Sequence, residues 1–172
     1  MPTLCTNKQA AKRYHDRKAT GICTKCHTQL ADGSEIFCIK HRDKNRKKDN
    51  KRRKTDRVVC LDHYGWECAC CGEGFAPLLQ IDHIDGCGSI HRREVIKNKP
   101  TYAWLRANNF PEGFQTLCAS CNSAKKNTKR CPHQLLSPEA HTQLRLQNQK
   151  FAREHYKPQY LYRHEIKSLQ AS

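Results

Sequence analysis

The chain has 172 residues and a formal net charge of +16, which fits one domain or two small ones and favours a polyanionic partner such as nucleic acid. Leu, Ile, Val and Phe make up only about 17% of it, below the roughly 20% under which a highly charged chain is expected to be disordered. No apolar stretch approaches the ~20 residues of a membrane span, and the start lacks the apolar region of a signal peptide. We therefore expect neither a membrane protein nor a secreted one.

Twelve cysteines offer the stabilisation that so small an apolar core lacks. Small domains are often held by structural metals or disulfides, and disulfides require an oxidising compartment. Without a secretion signal, the sequence favours zinc–thiolate sites over disulfides. The setting expected is the cytoplasm of a bacterial or phage-infected cell, or a nucleus.

The N-terminal 41 residues (1–41) predict a zinc-ribbon-like module. Two close pairs of metal-binding side chains, separated by a Gly-containing stretch, are typical of a structural zinc site. The four expected ligands are Cys23, Cys26, Cys38 and His41. His27 is the alternative histidine.

A basic arm follows at residues 42–57. Eleven of the eighteen residues from Lys40 to Arg57 are Lys or Arg, against three Asp. No apolar stripe runs through them, so a solvated helix or a flexible arm is expected. Such an arm would neutralise phosphates without reading base sequence, and a charged linker without a partner is the alternative. The nucleic-acid contacts expected here are Arg46, Lys47, Lys48, Arg52 and Arg53.

Residues 58–133 carry the densest set of chemically active side chains. Two CxxC pairs bracket an Asp-His pair, and an Asn directly follows the second CxxC pair. The four cysteines supply a closed tetrahedral thiolate set for a structural zinc; they are Cys68, Cys71, Cys118 and Cys121. Asp82 and Asn122 offer the oxygen ligands that a hard cation prefers, and His83 is suited to accept a proton near neutral pH.

Short elements are predicted around these residues. An apolar strand at 77–81 leads into Asp82 and His83, a glycine-containing loop follows, and a second strand at 114–117 leads to a helix-compatible segment. Neighbouring residues of a regular strand face opposite sides. Asp82 and His83 can therefore serve one site only where the strand ends or twists. We expect a small α+β fold in which strand, loop, strand and helix are held by zinc.

The order C-x-x-C, D-H, C-x-x-C-N resembles that of the HNH endonucleases, also called ββα-metal or His-Me-finger nucleases. The likeness is to the zinc-pinned branch that includes phage recombination endonuclease VII and free-standing phage or intron-type enzymes, and it covers about residues 64–133. The resemblance implies a DNA endonuclease with a ββα-metal core. In it Asp82 and Asn122 would bind one Mg²⁺ or Mn²⁺ ion, and His83 would be the general base.

The chemistry fits those residue types. Water has a pKa near 15.7 and must be activated to attack a phosphodiester, and a histidine with an ordinary pKa near 6.5 is a suitable base. The sequence departs from the family where Gly113 stands in place of the middle Asn, which affects loop geometry more than catalysis. Asn108 or Asn109 could substitute for it.

Further basic side chains in this region are expected to contact phosphate groups. They are Arg92, Arg93, Lys125 and Lys126. His91 is either another phosphate contact or a ligand. Cysteines without an assigned role are Cys5, Cys60, Cys70, Cys87 and Cys131. Two additional metal-binding pairs stay open, Cys60-x2-His63 and Cys131-x-His133.

Residues 134–172 predict a helical tail. Ser137 is a good N-cap, and Pro138 suits the first helical position. Ala140, Leu144 and Phe151 would share one packing face, and a further helix is predicted at 160–169.

Two other functions stay open beside a nicking or double-strand-cleaving DNA endonuclease. One is a structure-selective nuclease for branched DNA, which the sequence does not distinguish from the first because branch selectivity usually depends on dimer geometry. The other is a non-catalytic, zinc-dependent nucleic-acid-binding protein. The partner expected is DNA, and a homodimer is compatible with the sequence.

Overall fold

The computed structural model describes residues 12, 14–16, 18–97 and 99–156. The chain divides into two compact units, Met1–Arg52 and Arg53–Ser172. Both contribute to a small α+β protein with one two-stranded sheet among the described residues. Cys5 and the helix predicted at 160–169 lie outside the described residues.

The first unit is built around a tight cysteine turn. Ile22 and Gln29 form an isolated antiparallel bridge, and the Cys23 N–H donates to the Thr28 carbonyl at 2.8 Å. The His27 N–H closes the turn on the Cys23 carbonyl at 3.0 Å, with His27 itself at a φ of 62°. This turn brings the two cysteines of the first pair to one side.

The basic run is helical. Helix α1 spans Ile39–Tyr64. Of the two structures expected for the basic run, a helix or a flexible arm, the helix is the one observed. Its basic first part is largely exposed, whereas Thr55, Asp56 and several apolar residues of its last part are buried. Buried Asp56 pairs with Arg106 at 3.0 Å. The C-terminal part of the predicted arm is therefore also part of the second unit's interior.

The second unit contains an antiparallel hairpin close to the predicted one. A 3₁₀ turn over Ala76–Leu78 precedes strand β1, Leu79–His83, which pairs with β2, Phe114–Cys118. The first strand starts two residues later than predicted, because Pro77 lies in the 3₁₀ turn. In the register, Leu79 is opposite Cys118 and His83 is opposite Phe114.

Short helices fill the connection between the strands, and two longer helices follow the second strand. Those in the connection are α2 (Gly88–His91), which runs into a π-helical turn (Arg92–Ile96), and α3 (Thr101–Ala107). After β2 come α4 (Ala119–Thr128), a 3₁₀ turn (Pro132–Leu135) and α5 (Pro138–His155). The predicted cap of α5 is confirmed, since Ser137 accepts a hydrogen bond from the Ala140 N–H at 3.2 Å.

Cysteine residues are unusually prominent in the core of the second unit. Six of the eleven buried residues in its main hydrophobic cluster are cysteines, and the others are Val58, Leu61, Trp66, Leu79 and Leu117. Apolar burial alone is small, so a metal bound by these cysteines would contribute directly to folding. Leu144 packs on this cluster from α5, whereas Phe151, expected on the same face, is 50% exposed.

None of the helices within the described part of the chain combines the length and the apolar character needed to span a bilayer.

Candidate functional site

The first unit holds a group of metal-binding atoms that fits zinc. Tetrahedral zinc with Zn–S bonds of about 2.3 Å and Zn–N bonds of about 2.0 Å requires ligand atoms roughly 3.5–3.8 Å apart. The Cys26 and Cys38 sulfurs are 3.5 Å apart, and His41 Nδ1 lies 3.5 Å from Cys23 Sγ and 3.4 Å from Cys38 Sγ. All four atoms lie within 4.8 Å of one another. The ligand histidine in this group is His41.

The second unit brings the two CxxC pairs together. Cys68, Cys71, Cys118 and Cys121 are all buried, and their sulfurs lie within 4.8 Å of one another. Cys71 Sγ and Cys118 Sγ are 3.8 Å apart, the separation that a tetrahedral zinc–thiolate site requires. The Ala69 N–H donates to the Thr116 carbonyl at 2.8 Å. The first pair is therefore held against β2, whose last residue is Cys118.

A second group shares one of these cysteines. The sulfurs of Cys70, Cys121 and Cys131 and the imidazole of His133 also lie within 4.8 Å of one another. The open alternative of a site at Cys131-x-His133 is therefore the one that the structure supports. Together the two groups form a central cluster of seven side chains, Cys68, Cys70, Cys71, Cys118, Cys121, Cys131 and His133.

The other open pair does not form a comparable group within the described residues. The Cys60 thiol faces the Tyr102 carbonyl at 3.5 Å, and burial raises the pKa of this thiol to about 12. The His63 ring stacks on Phe110 with centroids 4.7 Å apart. Cys60 behaves as a small buried apolar residue.

The thiols of the central cluster have the chemistry of metal ligands. Each of the eleven described cysteines is free of a disulfide. Burial raises the pKa of the Cys70 thiol to about 11 and also raises that of Cys121, whereas a hydrogen bond from Cys71 lowers the pKa of the Cys68 thiol to about 4, so without a cation the cysteines are not all ionised. A bound Zn²⁺ ion reverses this, because a coordinating thiol is deprotonated outright. The donor set therefore fits zinc.

A cleft of about 1090 Å³ lies between β1, α2 and α4. It is lined by the three side chains to which the resemblance assigns catalysis, those of Asp82, His83 and Asn122. Asn122 Nδ2 donates to Gln80 Oε1 at 2.9 Å. Since Gln80 and Asp82 are two residues apart on one strand, they share a face of the sheet, and this face meets α4.

His83 is the last residue of β1, where the regular alternation of the strand ends. Its ring is buried, 8% exposed, and lies against Phe114 with centroids 4.4 Å apart. His83 Nε2 is 3.0 Å from His91 Nδ1, and the His91 ring in turn packs edge-on against Trp104 at 4.6 Å. His91 thus orients His83, a role that its position in the sequence did not reveal.

The His83 ring packs closely against Gly88, where the absence of a side chain leaves room for it. A Cβ added at Gly88 would lie 2.8 Å from His83 Nδ1, so any side chain there would displace the imidazole. Burial, followed by the charge of His91, lowers the pKa of His83. The ring is therefore neutral, and able to accept a proton, at pH 7.

Lys125 binds the Asp82 carboxylate. Its Nζ lies 2.7 Å from Asp82 Oδ2, donates to the His83 carbonyl and donates to the Ile84 carbonyl at 3.0 Å. The lysine, expected to contact phosphate, is thus engaged within the protein. Three oxygens around one ammonium form a position that favours a cation.

The cleft is rich in positive charge. Five basic side chains line it against two carboxylates, those of Asp82 and Asp85. The five are Arg57, Arg92, Lys125, Lys126 and Lys129. Arg57 and Lys129 were not singled out in the sequence, because nothing in their local spacing relates them to the Asp-His pair. Arg93 instead pairs with Glu94 at 3.0 Å and is not among the lining residues.

The basic residues of the arm lie along α1. Arg46 pairs with Asp43 and Arg52 with Asp49, each at 3.5 Å and one helical turn apart. Exposed pairs of this kind contribute little to stability. The other three side chains expected to contact nucleic acid, those of Lys47, Lys48 and Arg53, are also exposed.

Gly113 stands where the resemblance to HNH endonucleases would lead one to expect an Asn, and it braces the loop through its backbone. Its carbonyl accepts a hydrogen bond from the Ile84 N–H at 2.9 Å, which extends the hairpin by one pair beyond His83. Its φ of +89° lies in a region that favours glycine. Asn108 instead donates to the Trp104 carbonyl at 2.8 Å, at the end of α3.

Comparisons of this chain with protein-family models, with curated proteins and with solved structures give no match. The function is therefore inferred from the side chains of the cleft and the clusters.

Proposed function

We propose that the protein is a metal-dependent DNA endonuclease of the HNH type, with a zinc-held ββα-metal core and a zinc-ribbon-like N-terminal module. The observation that carries the proposal is the cleft. An acid, a histidine and an amide line it together with five basic side chains. This combination suits the binding and hydrolysis of a phosphodiester, because phosphate needs positive charge and attacking water needs a base.

Asp82 and Asn122 are the residues that would hold the catalytic ion. One carboxylate, an amide oxygen and the substrate's own phosphate suffice for Mg²⁺ or Mn²⁺, which keep several waters. Asn122 uses its amide nitrogen on Gln80, and its oxygen is the atom that a hard cation prefers. When bound, the ion would stabilise negative charge on the phosphate and on the leaving oxygen.

His83 is the proposed general base. Its bond to His91 fixes the orientation of the ring, and Gly88 leaves the space that the ring occupies. With Nε2 of His83 bonded to His91, Nδ1 takes a proton from water as the water attacks phosphorus, and the P–O bond to the leaving oxygen breaks. Arg92, Lys126 and Lys129 line the cleft and would hold the flanking phosphates.

The test is nicking of supercoiled plasmid by the wild type and by His83→Ala, with Mg²⁺, with Mn²⁺ and with EDTA. Removal of a general base typically costs 10²–10⁴-fold in rate, and we expect a loss of that size. The matched control is His155→Ala, an exposed histidine at the end of α5, which should cleave like the wild type. Equal nicking by His83→Ala, or nicking that persists in EDTA, would contradict the proposal.

One observation favours a second function, a non-catalytic nucleic-acid-binding protein. Lys125 neutralises Asp82, the carboxylate that the catalytic ion would need. In the nuclease, Lys125→Met should lower the Mg²⁺ concentration required for half-maximal nicking, because the ion no longer competes with the ammonium. If wild type and Lys125→Met both bind DNA and neither nicks linear, supercoiled or branched DNA with either metal, the binding function is correct.

A further inference from the structure

Cys121 is placed to serve two metal ions at once. It belongs to the group with Cys68, Cys71 and Cys118 and equally to the group with Cys70, Cys131 and His133. It is 1% exposed and lies in the first turn of α4. Its own N–H donates to Cys118 Sγ at 3.4 Å, a contact that fixes the first turn against the neighbouring ligand.

His133 distinguishes a second metal site from mere packing of buried cysteines. A buried free cysteine often acts as a small apolar residue, so Cys70 and Cys131 alone would prove nothing. The His133 ring, however, directs Nδ1 at three sulfurs. The distances are 3.4 Å to Cys121, 3.5 Å to Cys131 and 3.9 Å to Cys70, close to the roughly 3.5 Å between nitrogen and sulfur ligands of one tetrahedral zinc.

The number of ligands matches two ions that share one thiolate. Two tetrahedral zinc ions need eight ligand positions, and seven side chains fill them when one sulfur binds both ions. The central cluster has seven members. We propose that it is a dinuclear zinc site in which the Cys121 thiolate bridges a Cys₄ ion and a Cys₃His ion.

Helix α5 supports the proposed dinuclear site from outside the ligand shell. His141 Nε2 donates to the Cys70 carbonyl at 2.7 Å, Asn148 Nδ2 to the Cys71 carbonyl at 2.8 Å, and Arg145 to the Ala69 carbonyl. These donors face the peptide groups of the first CxxC turn, where Cys70 points to one ion and Cys71 to the other. Partners that hold ligands in this way commonly raise metal affinity.

Zinc content is the first test, and it does not depend on nuclease activity. We expect three zinc ions per wild-type chain by elemental analysis, and two in Cys26→Ser, where only the ligand set of the first unit is broken. Adding Cys70→Ser to Cys26→Ser should lower the content from two to one, whereas the control substitution Cys60→Ser should leave it at two. One zinc per chain in Cys26→Ser would overturn the proposal.

Cadmium NMR of the intact wild-type chain tests the bridge itself. With ¹¹³Cd in place of zinc, we expect two resonances that are scalar-coupled to each other through the Cys121 sulfur, and a third, uncoupled one from the first unit. Three resonances without coupling would overturn the bridge, and a single resonance from the central cluster would overturn the second ion. This measurement stands even where a cysteine variant fails to fold.

Discussion

The two candidate metal-binding regions of this protein are built in opposite ways. In the first unit, four ligands lie within nineteen residues of chain, and Cys26 is exposed. In the central cluster, the ligands come from three separate segments between Cys68 and His133, and all six cysteines are buried. The first is a local turn suited to bind an ion, whereas the second supplies more than half of the core residues of its unit. Loss of metal should therefore have different consequences in the two regions.

The largest expected effect comes from breaking one ligand in each region. Cys118→Ser should abolish the cooperative thermal unfolding transition, because structural zinc contributes about 10–16 kcal/mol in zinc-finger peptides, as much as the whole stability of a typical domain. Cys26→Ser should leave that transition in place. Circular dichroism melting of both variants, with zinc content measured in parallel, checks this. A folded Cys118→Ser with an unchanged melting temperature would show that the apolar residues suffice.

A smaller effect is expected where α5 meets the CxxC turn. Gly72 has a φ of +77°, and a Cβ there would lie 2.8 Å from the Arg145 carbonyl oxygen. The left-handed conformation costs an L-residue about 1–2 kcal/mol, and overpacking adds about 1–3 kcal/mol, so Gly72→Ala should lose about 2–5 kcal/mol in urea unfolding. Gly86→Ala is the matched control, with the same φ and no atom within 4 Å. If both variants lose the same free energy of unfolding, helix α5 shifts to accommodate the added methyl group at no further cost.

Removing one donor of α5 should cost less. Asn148→Ala leaves the Cys71 carbonyl without its 2.8 Å partner, and a buried unsatisfied acceptor costs about 1–3 kcal/mol. Gln149→Ala, which loses only an exposed bond to Glu67, should change the free energy of unfolding by less than about 0.5 kcal/mol. If the two variants unfold alike, α5 does not support the cluster.

The smallest effect on stability is expected from the exposed part of α1. Replacing Lys47, Lys48, Arg52 and Arg53 by Gln should leave the melting temperature nearly unchanged, since these side chains are exposed. If they bind phosphates, DNA affinity should fall and the slope of log K against log salt should flatten by about 0.9 for each lost contact. Substitution is preferable to deletion of the arm, because Thr55 and Asp56 are buried. An unchanged slope would mean that the arm is only a charged linker and does not contact phosphates.

The same contrast explains what could be predicted from the sequence. Ligands that are close in the chain, such as Cys23 with Cys26 or Cys118 with Cys121, are identified by spacing alone. The hairpin and the cap at Ser137 also depend on neighbouring residues and were predicted to within two residues. The partners of Cys70 were not predictable, because Cys131 and His133 reach it only through the path of α4 and the 3₁₀ turn that follows.

The cleft shows the same limit. Asp82 and His83 are adjacent in sequence and could be proposed as a pair. His91 reaches His83, and Arg57 and Lys129 reach the same cleft, only through the tertiary fold. Lys125 was assigned to phosphate on its charge alone. Its pairing with Asp82 depends on how α4 lies against β1, which no local pattern encodes.

The separation of the central ligands also has a consequence for synthesis of the chain. The first unit has all four ligands once residue 41 has been made, whereas Cys68 must wait for Cys118 and Cys121. At about 5–20 residues per second, that interval is on the order of 3–10 s. Throughout it, three neighbouring thiols, Cys68, Cys70 and Cys71, leave the ribosome without their distant partners. The nascent chain must therefore be kept reduced until its last cysteines emerge.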